Sequence, residues 1–336
     1  MTEMDKGRAR EIELSVVVPV FNEAANIGLL CDRLATVLER ITPDWEILFV
    51  DDGSGDATLA RIRERHALEP RIGAVSFSRN FGKEIAIAAG LDHARGRAVV
   101  LIDADLQHPP ELIETFVTKW REGYVMVYAQ RTSRETESAV KRGFARLFYR
   151  LFRAFGETAL PEGAGDFRLI DRKGVEALKA MGERARFSKG LYAWIGYPAI
   201  GVPYTVAERA HGTTKWSFRK LLRFAFDGIT SFSTVPLRVW TYVGLMISLA
   251  SIVTALYFLV RTLLFGTDLP GYPSLIVSVM FFAGIQLMSL GMIGEYVGRI
   301  FAEVKRRPLY LVAERIGPED GTPRPLIRDQ LRARST

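Results

Sequence analysis

From Val239 to Val260 the chain reads VWTYVGLMISLASIVTALYFLV without one charged side chain, and from Tyr272 to Gly294 a second stretch contains nothing more polar than Gln286. Each holds the ~20 apolar residues that cross a hydrocarbon core at ~1.5 Å per residue. Two long core helices of a soluble protein are the other reading, but such helices carry a polar face. A transmembrane hairpin with spans at about 239–262 and 272–294 is therefore expected. The connection GTDLPG has no Lys or Arg. Arg219, Lys220, Arg223 and Arg238 precede the first span, and Arg299, Lys305, Arg306 and Arg307 follow the second. The positive-inside rule then puts both flanks in the cytoplasm, with Arg261 snorkelling at the far end of the first span. The N-terminal MTEMDKGRAREIE is too charged for a signal peptide. The expected location is the inner (cytoplasmic) membrane, multi-pass, with both termini cytoplasmic. A hydrophobic content of 48% agrees with contact with lipid. The one cysteine, Cys31, excludes a disulfide framework.

The first 210 residues follow another pattern. LSVVVPVF (Leu14 to Phe21), EILFVDD (Glu46 to Asp52), IGAVSF (Ile72 to Phe77) and AVVLIDAD (Ala98 to Asp105) are short apolar runs between amphipathic stretches. Uninterrupted apolar strands alternating with helices predict a parallel sheet covered on both faces, an α/β layer fold. Ligands of such sheets bind outside the carboxyl ends of the strands. Those ends read PVFNE, VDDGSGD, FSRNFGK and DADLQ, a polar and acidic set that includes Lys83.

Side chains alternate along a strand, so Asp103 and Asp105 share one side, joined by Gln107 where the extension persists. Pro109 and Pro110 keep the preceding residues extended and start a helix. Hard oxygen donors at this spacing suit Mg²⁺ or Mn²⁺, which takes further ligands from a substrate diphosphate. Ala104 is small enough to let a sugar lie on the backbone. Solvated Asp pairs and helix caps are the bland alternative, and an Asp/Gly turn is the same for Asp51 and Asp52, whose other reading is a carboxylate facing a nucleobase. No G-x-G-x-x-G follows the first strand and no Walker loop occurs, so metal and basic side chains must neutralise a diphosphate. Of the histidines, His66 and His93 read as surface residues, His108 merely follows the acidic motif, and no pair has metal-ligand spacing.

SVVVPVFNEAANI, VDDGSGD, DADLQHPPE, QRTSR, AGDFRLIDR and ERAHGTTKWSF together resemble the family 2 glycosyltransferases of GT-A fold. More narrowly they resemble the polyprenyl-phosphate glycosyltransferases, which include dolichol-phosphate mannose synthases and bactoprenol glucosyltransferases. The match spans about Leu14 to Pro236 in motif order. It implies a Rossmann-like, mainly parallel GT-A domain followed by interfacial amphipathic helices and the hairpin. It also implies that Pro19, Phe21, Glu23, Asp51, Asp52, Lys83, Asp103 and Ala104 serve the nucleotide sugar, with Asp105, Gln107 and Asp103 at the metal. Arg131, Arg168, Arg209 and Lys215 would meet donor or acceptor phosphates. Asp105, Arg131 and Asp166 are the catalytic candidates, Asp166 as base or positioning group. Phe21 stands where many relatives have Tyr.

The expected domains are a tail (1–12), a GT-A domain (13–215), an interfacial helix (216–236), the hairpin (237–298) and a cytoplasmic tail (299–336) with little structure of its own. VKRGFARLFYRLFRAF and WSFRKLLRFAFDGITSF each pair an apolar helical face with Lys and Arg, as interfacial helices on anionic lipid do. The net charge of +7 thus lies on membrane-like segments, which argues against nucleic acid. The function read from the sequence is inverting transfer of a hexose, glucose foremost, from a UDP-sugar to undecaprenyl phosphate, for cell-envelope glycan modification. The alternatives are a processive polysaccharide synthase, whose Q-x-x-R-W is missing here, and a non-catalytic membrane subunit. The resemblance also implies a homo-oligomer, with a tetramer among its similar members.

Overall fold

The computed structural model describes residues 11–131, 164–183, 188–204, 235–265 and 271–317. The chain divides into a sheet unit (residues 1–150, 158–217 and 307–336) and a helical unit (151–157 and 218–306).

Four apolar runs form the parallel centre of the sheet: β1 (Leu14–Val20), β2 (Trp45–Asp51), β3 (Ile72–Phe77) and β4 (Ala98–Leu101). Helices α1 (Ala24–Ile41), α2 (Thr58–Leu68) and α3 (Lys83–His93) connect them in turn, and α4 (Leu112–Arg121) follows β4. The run expected to extend to Asp105 ends at Leu101. β5 (Met126–Arg131), β6 (Ala164–Asp171) and β7 (Ala199–Tyr204) widen the sheet, with α5 (Arg172–Ala180) and α6 (Ser188–Trp194) between the last two. With β8 (Val312–Ile316) at one edge, the strand order is β7-β5-β6-β4-β1-β2-β3-β8.

That order fixes where a ligand can sit. From β1 the chain winds outward through β2 and β3, then crosses back to lay β4 on the other side of β1. A crevice opens at such a switch point because neighbouring loops leave in opposite directions. The last β1–β4 pair is Val17 with Leu101, so Pro19 lies beyond it, where its missing N–H leaves no β4 partner unsatisfied. β6 runs antiparallel to β4, with Arg168 opposite Leu101, and thereby brings the start of β6 to the same edge.

The sheet is closed on both faces by apolar side chains, among them Trp45, Phe49, Phe116 and Phe167, all fully buried. This double burial is why the strands read as continuous apolar runs.

β8 (Val312–Ile316) corrects an expectation. The segment after Pro308, expected to have little structure, pairs antiparallel with β3, Val75 opposite Arg315 and Ser76 opposite Glu314. Arg63 of α2 clamps Glu314 with a bidentate pair at 2.6 Å.

In the helical unit, α7 (Val235–Phe265) and α8 (Tyr272–Val304) run 31 and 33 residues. Of the two expected spans, Ser278–Val304 within α8 is long and apolar enough to cross a membrane. None of its apolar window is buried in the protein, and its mean hydropathy is 1.3. Among the described residues, α7 contributes the shorter apolar stretch Tyr242–Thr254. The two amphipathic segments lie outside the described residues.

Candidate active site

Two loops at the strand ends are tied together before any ligand is considered. Asn22, at a left-handed φ of 55° just past β1, receives a hydrogen bond on Oδ1 from Gly55 N–H and donates its own N–H to Ser54 Oγ. Glu23 N–H donates to Thr58 Oγ1 and Ala24 N–H to Asp56 Oδ2. The Glu23 carboxylate accepts from Asn26 Nδ2 at 2.7 Å. Gly53 is required here: its φ is +70°, and a Cβ would stand 2.6 Å from the Arg79 carbonyl carbon.

Asp51 and Asp52 turn inward, at 1% and 4% exposure. Asp51 accepts from Ser54 N–H and Ser76 Oγ. Asp52 accepts from the N–H groups of Phe81 (2.6 Å) and Gly82 (2.9 Å), which holds the turn that starts α3. Burial pushes the Asp52 carboxyl up, and these two bonds only partly offset it. Both carboxylates are held by loop donors, which fixes the shape of the β2 end.

The turn they hold presents Lys83, the first residue of α3. Its ammonium lies 2.7 Å from Asp103, past β4, and 2.7 Å from Asp166, at the start of β6. Desolvation would lower the Lys83 pKa, but Asp166 and Asp103 outweigh it and raise it well above an ordinary lysine. Burial alone would likewise raise Asp166, yet Lys83, with Lys189 and Arg168, holds it well below the usual carboxylate range. Asp166 is therefore ionised at neutral pH and a weak base.

Beyond Asp103 the extension does not persist. The chain turns at Ala104, with Leu106 at φ 60°, and Gln107 N–H donates to Asp105 Oδ1 at 3.1 Å. Ala104 is 4% exposed and packs in the core, so only its backbone can face a ligand. Asp103, Asp105 and Gln107 are half-buried. Phe21 is 40% exposed at the β1 end and Pro19 half-buried before it.

Arg168, expected at a phosphate, is buried at 3%. Its guanidinium lies 3.7 Å from the Tyr192 ring centroid, donates to Met126 Sδ at 3.4 Å and binds the Gly165 carbonyl. Burial lowers its pKa. Arg168 thus fixes the backbone just before Asp166. Arg131 closes β5, and its side chain lies outside the described residues, as do Arg209 and Lys215.

Two groups were missed. His108 lies 4.0 Å from Asp103 Oδ2 between the rings of Phe167 and Tyr204. Its Nδ1 is buried without a hydrogen-bond partner, and burial lowers its pKa, keeping the ring neutral. The signal was its place in DADLQHPP, directly after a turn that folds it back. Glu84 accepts from Ser188 N–H at 3.1 Å and from Ser188 Oγ, which ties α3 to α6. No pattern in the sequence joins residues so far apart.

The profile of the family described as "Glycosyl transferase family 2" matches residues 15–179. An uncharacterized glycosyltransferase of Synechocystis is 51% identical over 308 residues, 92% of this chain and 97% of the relative. A prophage-derived bactoprenol glucosyl transferase of Shigella flexneri is 44% identical over 301 residues, 90% of this chain and 97% of its own length. Among solved structures, a mannosyltransferase from Pyrobaculum calidifontis in complex with GDP-mannose and Mn²⁺ is 20% identical. It covers 88% of each chain at a TM-score of 0.45.

Proposed function

The chain belongs to glycosyl transferase family 2, and from that premise we propose that it is a membrane-bound, inverting hexosyltransferase. It moves a sugar, glucose foremost, from a UDP-sugar to undecaprenyl phosphate. The observation that carries the reading is the Lys83–Asp103–Asp166 cluster at the switch-point crevice. The Shigella flexneri relative, matched over nearly its whole length, supports the lipid phosphate as acceptor.

A divalent cation fits the donor set. Asp103 and Asp105 offer hard carboxylate oxygens and Gln107 an amide oxygen. Among the described residues no group of three or more His, Cys, Asp and Glu could hold a metal ion, so a substrate diphosphate would complete the shell. Asp105, with Asp103 and Gln107, would hold Mg²⁺ or Mn²⁺, which when bound supplies charge neutralisation for the departing diphosphate.

The chain's own residues do the rest. Lys83 places a positive charge among the strand ends and keeps Asp166 ionised. An acceptor phosphate is already anionic at neutral pH, so no proton must be removed, and Asp166 orients rather than deprotonates. The phosphate oxygen forms its bond to the anomeric carbon from the face opposite the breaking C–O bond, so configuration inverts. Arg131, Arg209 and Lys215 are the cations proposed for the phosphates. Pro19, Phe21, Glu23 and the Asp51/Asp52 loop border the nucleotide.

Membrane attachment is supported by Ser278–Val304. The pairing of β8 with β3 adds a topological argument. Residues on both sides of α7 and α8 belong to one sheet, so the chain crosses a bilayer an even number of times between them. Two spans and a cytoplasmic catalytic unit meet that requirement. The test incubates the purified full chain with UDP- and GDP-sugars, undecaprenyl phosphate and Mg²⁺ or Mn²⁺, and reads sugar-lipid by mass spectrometry. One product that needs both metal and lipid phosphate is expected. A polymer, or no product from any donor, would overturn the proposal.

A further inference from the structure

We propose that Tyr310, on the chain's return from α8, is a positioning residue for Lys83. It sets helix α3 from both ends. Its ring stacks on Phe77 at 5.0 Å and 24°, and Phe77 meets Phe81 edge-on at 5.6 Å. Phe81 and Gly82 donate to Asp52, and Lys83 follows directly. At the other end of the same helix, the Tyr310 hydroxyl lies 3.1 Å from Asp92 Oδ2 and 3.3 Å from His93 Nε2. His93 is therefore not the surface residue that the sequence implied; it is 9% exposed. Next to Tyr310, the Leu311 carbonyl accepts from Ser78 N–H at 3.0 Å, which pins the first residue of the loop between β3 and α3.

A helix anchored at its last turn and at the loop before its first has little freedom to slide. Lys83 needs that restraint, because it must stay within 2.7 Å of two carboxylates, Asp103 just past β4 and Asp166 on β6, if the strand ends are to keep the charge arrangement that receives the donor. Gly82, at φ +102°, would otherwise leave the loop loose. A strand supplied from beyond α8 thus does for the β3–α3 loop what the Asn22–Ser54–Asp56 knot does for the β1 and β2 loops.

The test compares full-length wild type with Tyr310→Leu and Tyr310→Phe by limited trypsin cleavage after Arg79, within the loop, and by kinetics of sugar transfer. The leucine variant should be cleaved there at least tenfold faster and show a tenfold higher KM for the nucleotide sugar, with kcat within threefold. Phenylalanine, which keeps the ring, should restore both to within threefold. A leucine variant equal to wild type, or a phenylalanine variant no better than leucine, would overturn the assignment. So would a changed KM with unchanged cleavage. If the leucine variant does not fold, Tyr310→Phe and Asp92→Asn decide: each should speed cleavage about twofold to threefold, and wild-type rates in both would refute the role. The kinetic arm rests on the function proposed above. Wild type inert with every donor would sink that function, while the cleavage arm still decides the role of Tyr310.

Discussion

Asp52→Ala separates two accounts of the VDDGSGD motif. The carboxylate binds the Phe81 and Gly82 N–H groups at 2.6 and 2.9 Å and is almost fully buried. A hydrogen bond to a charged group contributes about 1.5–3 kcal/mol, and two orphaned N–H donors together lose at least ~3 kcal/mol. That figure is roughly a 150-fold change in a local opening equilibrium. The assay is native-state hydrogen exchange read at Phe81 and Gly82. Exchange there should accelerate about 150-fold in Asp52→Ala and about 10-fold in Asp52→Asn, which retains one acceptor oxygen. The β1 and β2 amides should hold their wild-type rates, and nucleotide-sugar affinity should fall in step with loop opening because Lys83 follows the turn. If exchange at both amides stays within threefold of wild type while nucleotide binding disappears, the reasoning is refuted. Asp52 would then act on the nucleotide directly.

Asp105→Ala should abolish metal-dependent transfer by at least ~100-fold with the thermal midpoint unchanged; retained turnover in detergent-solubilised protein counts against the metal assignment. Cys31 is buried, and burial pushes its thiol up to about 12. A thiol reagent at pH 8 should leave it unmodified in the native protein and react once denaturant is added. Burial raises the Glu84 pKa above 4.5. The stability that this protonation contributes is fully present below the unfolded value and is lost as pH rises through the folded one. Glu84→Gln keeps an acceptor for Ser188 without that loss, so its melting midpoint should gain on wild type as pH rises from 4.5; a pH-independent gap would exclude the mechanism.

The parallel centre of the sheet was legible because burial on both faces leaves a local mark, the unbroken apolar run. β1, β2 and β3 therefore begin and end within a residue or two of their predicted bounds. β8 left no such mark. VAERI alternates because it is an edge strand with one face exposed, and its partner β3 lies over two hundred residues earlier, so a short polar-looking segment after the hairpin reads as a tail. β4 failed for the opposite reason: its apolar run continues through Ile102, but hydrogen bonding to β6 stops at Leu101, a limit set by another strand.

The carboxylates show why the site was harder to read than the strands. Asp-Asp after β2 and Asp-Ala-Asp after β4 look alike as acidic pairs closing apolar runs, and both were assigned to ligands. Their fates diverge through what packs opposite them. The β2 end faces the β3–α3 loop so closely that only Gly53 fits, and the nearby N–H donors draw Asp51 and Asp52 inward. The β4 end faces the switch-point gap, where neither β1 nor a helix supplies backbone donors to Asp103. It therefore takes a side-chain cation, Lys83, delivered by the loop that Asp52 organises. One acidic pair thus builds the platform from which a lysine reaches the other. Sequence spacing placed all four carboxylates at the right edge of the sheet. Which of them binds loop N–H groups and which takes a lysine follows from the loop packed opposite each strand end, and that depends on strand order.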